Sequence, residues 1–163
     1  MCIDKNYCVD VDADIKSLQL RCADHADIEY LRLLKNAHSE FFFHKQEIAQ
    51  DQQEAWFLSY QSRMNDFMFI VWLNGARIGC MGIRLIDNKW DVYNVILGDY
   101  DHKGAGLMGR SFQAMLTFAR YIRDTPIGLS VLKNNPAIWW YQKNGFKIDS
   151  DFLDHFVMSF DPS

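Results

Sequence analysis

Val92-Tyr93-Asn94-Val95-Ile96-Leu97 reads as an apolar strand that passes through a short loop into His102-Lys103-Gly104-Ala105-Gly106 and then into a helix. Met108, Phe112, Met115, Ala119 and Ile122 recur along that helix at steps of four and three, which places one face on a sheet. A strand, a glycine-bearing turn and a helix start gather unpaired backbone N–H groups at the positive end of the helix dipole, and that makes an anion site. Gly104 and Gly106 let the backbone approach a phosphate with no Cβ in the way. The loop lacks the Gly-Lys-Ser/Thr ending of a P-loop. Gly104-Ala105-Gly106-Leu107-Met108-Gly109 has the spacing of the dinucleotide fingerprint, but the strands before it run antiparallel instead of forming a βαβ unit, so nucleotide hydrolysis and dehydrogenation fall away.

Working outward from this stretch, Asn74-Gly75 supplies the positive φ angles of a tight turn and joins residues 67–73 and 77–86 into a hairpin. Asp87-Asn88 turns the chain into a third strand over 90–97. Residues 1–17 are polar and acidic without sustained periodicity and read as a loose arm before a first strand at 18–22. Asp24 or Asp27 caps a helix that carries Ile28, Leu31, Leu33 and Leu34, and a second helix runs over 51–63. After the helix beginning at Gly106 come a strand over 129–132, a short helix over 137–143 closed by Asn144-Gly145, and strands over 146–148 and 152–160. The order is a strand, two helices, three antiparallel strands, a helix, a strand, a helix and two strands. That is a mixed α/β sheet in a single domain spanning 18–163, without the regular alternation of a doubly wound fold.

The chain has 163 residues, 49% of them hydrophobic and 15% aromatic, enough for one proper core. A formal charge of −4 argues against a nucleic-acid partner, whose affinity rests on neutralising many phosphates. The exception is local: His102, Lys103 and Arg110 form an anion-friendly island with no Asp or Glu between Asp101 and Asp124. No apolar run approaches the roughly 20 residues of a membrane span, and the acidic N-terminus lacks the order of a secretory signal, so a cytoplasmic protein is expected. Cys2, Cys8, Cys22 and Cys80 show no close pairing and read as reduced thiols, and no metal site is expected.

Further along stands Asn134-Asn135-Pro136-Ala137-Ile138-Trp139-Trp140-Tyr141-Gln142-Lys143-Asn144-Gly145-Phe146. Taken with Asp101-His102-Lys103-Gly104-Ala105-Gly106, it resembles the paired motifs of the GCN5-related N-acetyltransferase (GNAT) superfamily over roughly residues 18–160. The resemblance implies an α/β (α+β) fold with a mixed, mostly antiparallel sheet of about seven strands flanked by about four helices. It also implies an acyltransferase that uses acetyl-coenzyme A as co-substrate. Carried over by position, backbone groups of Asn94, Val95 and Ile96 would pair with the pantetheine arm like an added strand. Amides of His102, Lys103, Gly104, Ala105, Gly106 and Leu107 would hold the pyrophosphate, Asn134 would bond the arm, and Tyr141 would sit near the thioester sulfur. Asp101 departs from the family's Arg or Gln, so it is expected to point away or to cap the loop.

Acetyl transfer needs a neutral amine, donors for a developing oxyanion and a proton for the leaving thiolate. Tyr141 is the candidate proton donor, and a backbone N–H near Val95 or Ile96 the candidate oxyanion donor. The family's strand glutamate is replaced by Ser130, which leaves His44, Glu47, Asp91 or a water chain as candidate bases. Residues 48–60, 69–71 and 77–79 resemble the branch that acetylates amino sugars on nucleotide carriers, and a related branch modifies protein N-termini. Phe41-Phe42-Phe43 either stacks on such an acceptor or simply packs. A non-catalytic domain that binds the coenzyme or a partner is the alternative outside enzymes. The final strand, 152–160, is a candidate edge for pairing with a second subunit, and a homodimer is a family-level expectation.

Overall fold

The computed structural model describes residues 5–98 and 104–162. The strands are β1 (Cys8–Asp12), β2 (Ile15–Cys22), β3 (Asp66–Leu73), β4 (Ala76–Ile86), β5 (Lys89–Leu97), β6 (Ile127–Leu132), β7 (Phe146–Asp151) and β8 (His155–Phe160). The helices are α1 (Ile28–Ala37), α2 (Gln50–Ser62), α3 (Leu107–Ile122) and α4 (Ile138–Lys143). All eight strands join one sheet in the order β1-β2-β3-β4-β5-β6-β8-β7, antiparallel except where β5 meets β6.

Apolar burial on both faces explains the sequence of β3. Asp66-Phe67-Met68-Phe69-Ile70-Val71-Trp72-Leu73 is an almost uninterrupted apolar run, as a strand covered on both sides requires. Phe67, Phe69 and Val71 pack with Phe112, Met115 and Tyr141 on the α3 and α4 side. Met68 and Ile70 pack with Ile28, Leu31, Phe57 and Tyr60 on the α1 and α2 side. The two helix pairs therefore cover opposite faces of the sheet.

Two expectations are corrected. The arm over 1–17 holds β1 and the start of β2, paired through Val9↔Leu20 and Asp10↔Gln19; its Cys8-Val9-Asp10-Val11-Asp12 alternation is a short edge strand, and it brings the sheet to eight strands. The last strand is not an edge, because β8 lies between β6 and β7 with a long ladder to each, and the edges fall to β1 and β7. The cap after α4 follows the reading, with Gly145 left-handed at φ 98°.

Candidate active site

The site begins with a separation of strands. β5 and β6 are matched only at Trp90↔Ile127 and Asp91↔Gly128, and β6 then follows β8 through five matched pairs. From Val92 onward β5 has no strand neighbour on its β6 side among the described residues, so a length of backbone lies open at the centre of the sheet. A β-bulge adds to the divergence. Cys80 faces Ile96 and Gly82 faces Tyr93, so two steps along β4 meet three along β5, and Asn94 takes up the extra residue at φ 50°, a conformation asparagine tolerates. The bulge turns Val95 toward the α3 face and Ile96 toward the α1 face.

Three side chains converge on this bulge. The Cys80 thiol donates to the Asn94 carbonyl at 3.2 Å, and the Lys35 ammonium donates to the Asn94 side-chain oxygen. Burial pushes the Cys80 thiol up to about 12, with Lys35 opposing. Tyr141, only 6% exposed, is raised above the ordinary tyrosine value by burial and by the nearby Cys80, so its hydroxyl keeps its proton. Its ring is fixed between Phe112, Trp140 and Phe146, with centroid distances of 5.9, 5.4 and 6.1 Å. Lys35 lies 3.6 Å above the Phe42 ring, and burial brings its amine down to about 8.

Beyond β5 the chain re-enters at Gly104 and Gly106, both left-handed with φ 89° and 75°. Gly106 caps α3 without any side-chain hydrogen bond, and the first bond of the helix is from Arg110 N to Gly106 O, which leaves the amides of Leu107, Met108 and Gly109 without helical acceptors. Ala105 lies between the two glycines. His102, Lys103 and Asp101 fall outside the described residues. Arg110 does not join an anion island: it pairs with Asp12 of β1 at 2.9 Å. A surface groove of about 770 Å³ runs beside that pair between β1 and α3 and reaches the head of α3 at Gly106 and Gly109.

On the far side of the opening Asn134 donates to the Glu40 carbonyl at 3.0 Å, so the α1–α2 connection is tied to the start of the α4 motif. Phe43 meets His155 edge-on at 5.4 Å, and Phe42 lies under Lys35. Of the candidate bases, His44 and Glu47 are exposed, while Asp91 is held by Arg84 at 3.0 Å with its carboxyl raised by burial. The structure thus gathers Asn94, Val95, Ile96 and Tyr141 around one opening, with Gly104 to Leu107 at the head of α3. Lys35 and Cys80 were missed by sequence reasoning. Lys35 sits one turn beyond Leu31 and next to Leu34 on the apolar stripe of α1, an unusual place for a lysine and the one signal that pointed to it.

Among the described residues no cluster of His, Cys, Asp and Glu could hold a metal ion, and no helix is long and apolar enough to cross a membrane. No curated protein matches the sequence. Solved structures share the fold at low identity. RimL, a ribosomal-protein α-N-acetyltransferase in complex with coenzyme A, superposes with a TM-score of 0.75 at 17% identity, over 94% of this chain and 96% of its own. The spermidine N-acetyltransferase of Vibrio cholerae in complex with coenzyme A and spermine gives 0.74 at 20%, over 88% and 95%. FdhC, a nucleotide-linked sugar GNAT, gives 0.74 at 18%, over 88% and 86%. The profile of the acetyltransferase (GNAT) family matches residues 30–146, and the chain therefore belongs to that family of acetyl-coenzyme A-dependent acyltransferases.

Proposed function

We propose that the protein moves an acetyl group from acetyl-coenzyme A to the primary amine of a small molecule, with an amino sugar on a nucleotide carrier as the best-supported acceptor. The observation that carries the reading is the buried, protonated Tyr141 beside the open stretch of β5. The residues present fit the coenzyme. Open backbone at Asn94, Val95 and Ile96 suits the amide-bearing arm, and the uncapped head of α3, with amides from Gly104 to Leu107, suits a pyrophosphate. His102 and Lys103 would add to that cradle. Asn134 would reach the arm by giving up its bond to Glu40.

When bound, the coenzyme supplies an activated acyl group and a thiol leaving group. The amine nitrogen would bond to the thioester carbonyl as the C–S bond breaks. The protein would hold the thioester against the bulge, offer a backbone N–H near Val95 or Ile96 to the carbonyl oxygen and give the Tyr141 proton to the departing sulfur, while the proton shed by the amine passes to water, from which Tyr141 is restored. Phe42 and Phe43, on the α1–α2 connection, offer ring faces to a sugar or base, and the fold shared with FdhC supports a nucleotide-linked acceptor.

Tyr141→Phe is expected to lower turnover by about 10²–10⁴ while acetyl-coenzyme A affinity stays nearly intact, read by thiol release and calorimetry. Near-normal turnover removes Tyr141 from the mechanism. Thiol release over nucleotide-linked amino sugars, polyamines, aminoglycosides and N-terminal peptides then decides the acceptor, and a preference outside the first group overturns that part of the reading.

A further inference from the structure

The phosphate cradle and Tyr141 lie on the α3 and α4 face of the sheet, whereas Lys35 reaches the same bulge from the α1 face. An amine attacking the thioester from the side not filled by the coenzyme arrives on that α1 face, so this step rests on the donor site described above. The charges there are unevenly matched. Asp91 of β5 is taken by Arg84 of β4 at 3.0 Å. Asp66 of β3 is taken by Arg63 at 3.3 Å and by the Tyr93 hydroxyl. Among the described residues no carboxylate comes within ion-pairing distance of Lys35, whose contacts are an amide oxygen and the Phe42 ring. Among the described residues the Cys80 thiol and Arg84, itself paired with Asp91, are the titratable groups that act on it. A cation with its stem buried and its head met only by an amide and a ring is short of a counter-charge, in a protein whose net charge is −4.

We infer that Lys35 is an acceptor-recognition residue, supplying an anion subsite at the β5 bulge for amines that carry a carboxylate or phosphate close to the reacting nitrogen. The missing counter-charge arrives with the substrate. Polycationic amines are disfavoured by the same charge, which separates this chain from the spermidine N-acetyltransferase that shares its fold. A bound anion also restores the protonated amine. Near pH 8 to 9, where the free lysine is partly neutral, Lys35 takes up a proton when the acceptor's anion binds, against any proton the acceptor amine sheds.

The test compares matched acceptors in the full-length protein: glucosamine 6-phosphate against glucosamine, alanine against alaninamide, and spermidine as the polycation. The wild type is expected to prefer the anionic member of at least one pair, and which pair tells phosphate from carboxylate. Lys35→Met is expected to lower the ratio of kcat/KM for that acceptor to kcat/KM for its neutral partner by about 10- to 100-fold, with Lys35→Arg restoring most of the ratio. Calorimetry at pH 8.5 in two buffers, with free coenzyme A present, is expected to read more net proton uptake, or less release, on binding the anionic acceptor in the wild type than in Lys35→Met, the acceptor amine's own proton cancelling in the difference. Equal losses for anionic and neutral acceptors, a preference for spermidine, or no difference in proton exchange between the two proteins overturn the inference. If coenzyme binding persists in those cases the donor site stands, whereas absence of coenzyme binding removes the donor site and this subsite together.

Discussion

Tyr60→Phe removes the buried hydroxyl that ends a sheet ladder. β2 pairs with β3 only as far as Cys22↔Phe69, and beyond that point Met68 has an amide and a carbonyl turned toward no strand. The carbonyl accepts from Ala23 N at 2.8 Å, and the amide donates to the Tyr60 hydroxyl at 2.9 Å. Both residues are buried, Tyr60 at 0% exposure and Met68 at 2%, so water cannot replace the oxygen. Phenylalanine keeps the stack on Trp56 at 4.9 Å and the Lys5 contact over the ring at 3.7 Å, and removes the hydroxyl that accepts from Met68 and also bonds the Cys22 thiol. An orphaned buried donor costs about 1–3 kcal/mol. For a chain of this length that lowers the melting temperature by about 2–12 °C, with the denaturant slope unchanged. Urea and thermal unfolding measure it, and acetyl-coenzyme A affinity serves as a control because Tyr60 lies on the α1 and α2 side of the sheet. A loss below about 0.5 kcal/mol refutes the reasoning, since it means that the amide finds another partner.

Two further outcomes follow from the core and its titrating groups. In Gly82→Ala the new Cβ stands 2.6 Å from the Tyr93 ring, which must shift and release its hydroxyl from buried Asp66; a loss of about 1–3 kcal/mol in urea unfolding is expected, and wild-type stability contradicts it. Stability is expected to rise from pH 7 to about 9, to level off up to about 10.5 and to fall above it. Lys5 and Lys35 are brought from 10.5 down to about 8, so between those values the unfolded chain binds more protons and stability grows with pH, Lys5 contributing less because it is more exposed to solvent. Cys22 and Cys80 are raised from 9.0 to about 12, so above 9 the unfolded chain gives up protons that the fold retains, which offsets the lysine gain up to 10.5 and prevails beyond it. Melting temperatures at pH 7, 8, 9 and 10 check the curve, and a steady decline from pH 7 contradicts it.

The parts of the molecule that announce themselves in the sequence are those fixed by local chemistry. Asn74-Gly75 dictates a turn wherever it sits between strands, the spacing from Met108 to Ile122 dictates a buried helix face, and Gly104 and Gly106 dictate a left-handed approach to α3. Elements set by distant partners do not. β8 resembles an edge until β6 and β7 are seen to flank it, and β1 has too few residues for its alternation to stand out from an acidic arm. The same holds within the site. Tyr141 and Asn134 are legible because one short motif spaces them, but Lys35 and Cys80 acquire meaning only when α1 and β4 are laid against the bulge at Asn94.

The central claim is that the opening between β5 and β6, with the head of α3, is a coenzyme site. Thermal unfolding with acetyl-coenzyme A at about one hundred times its dissociation constant tests it most directly. Ligand that binds only the folded state adds about 2.7 kcal/mol there, which for this length is a rise of about 5–11 °C that desulfo-pantetheine fragments without the pyrophosphate should not match. No rise with acetyl-coenzyme A at millimolar concentration, together with no thiol release, contradicts the account.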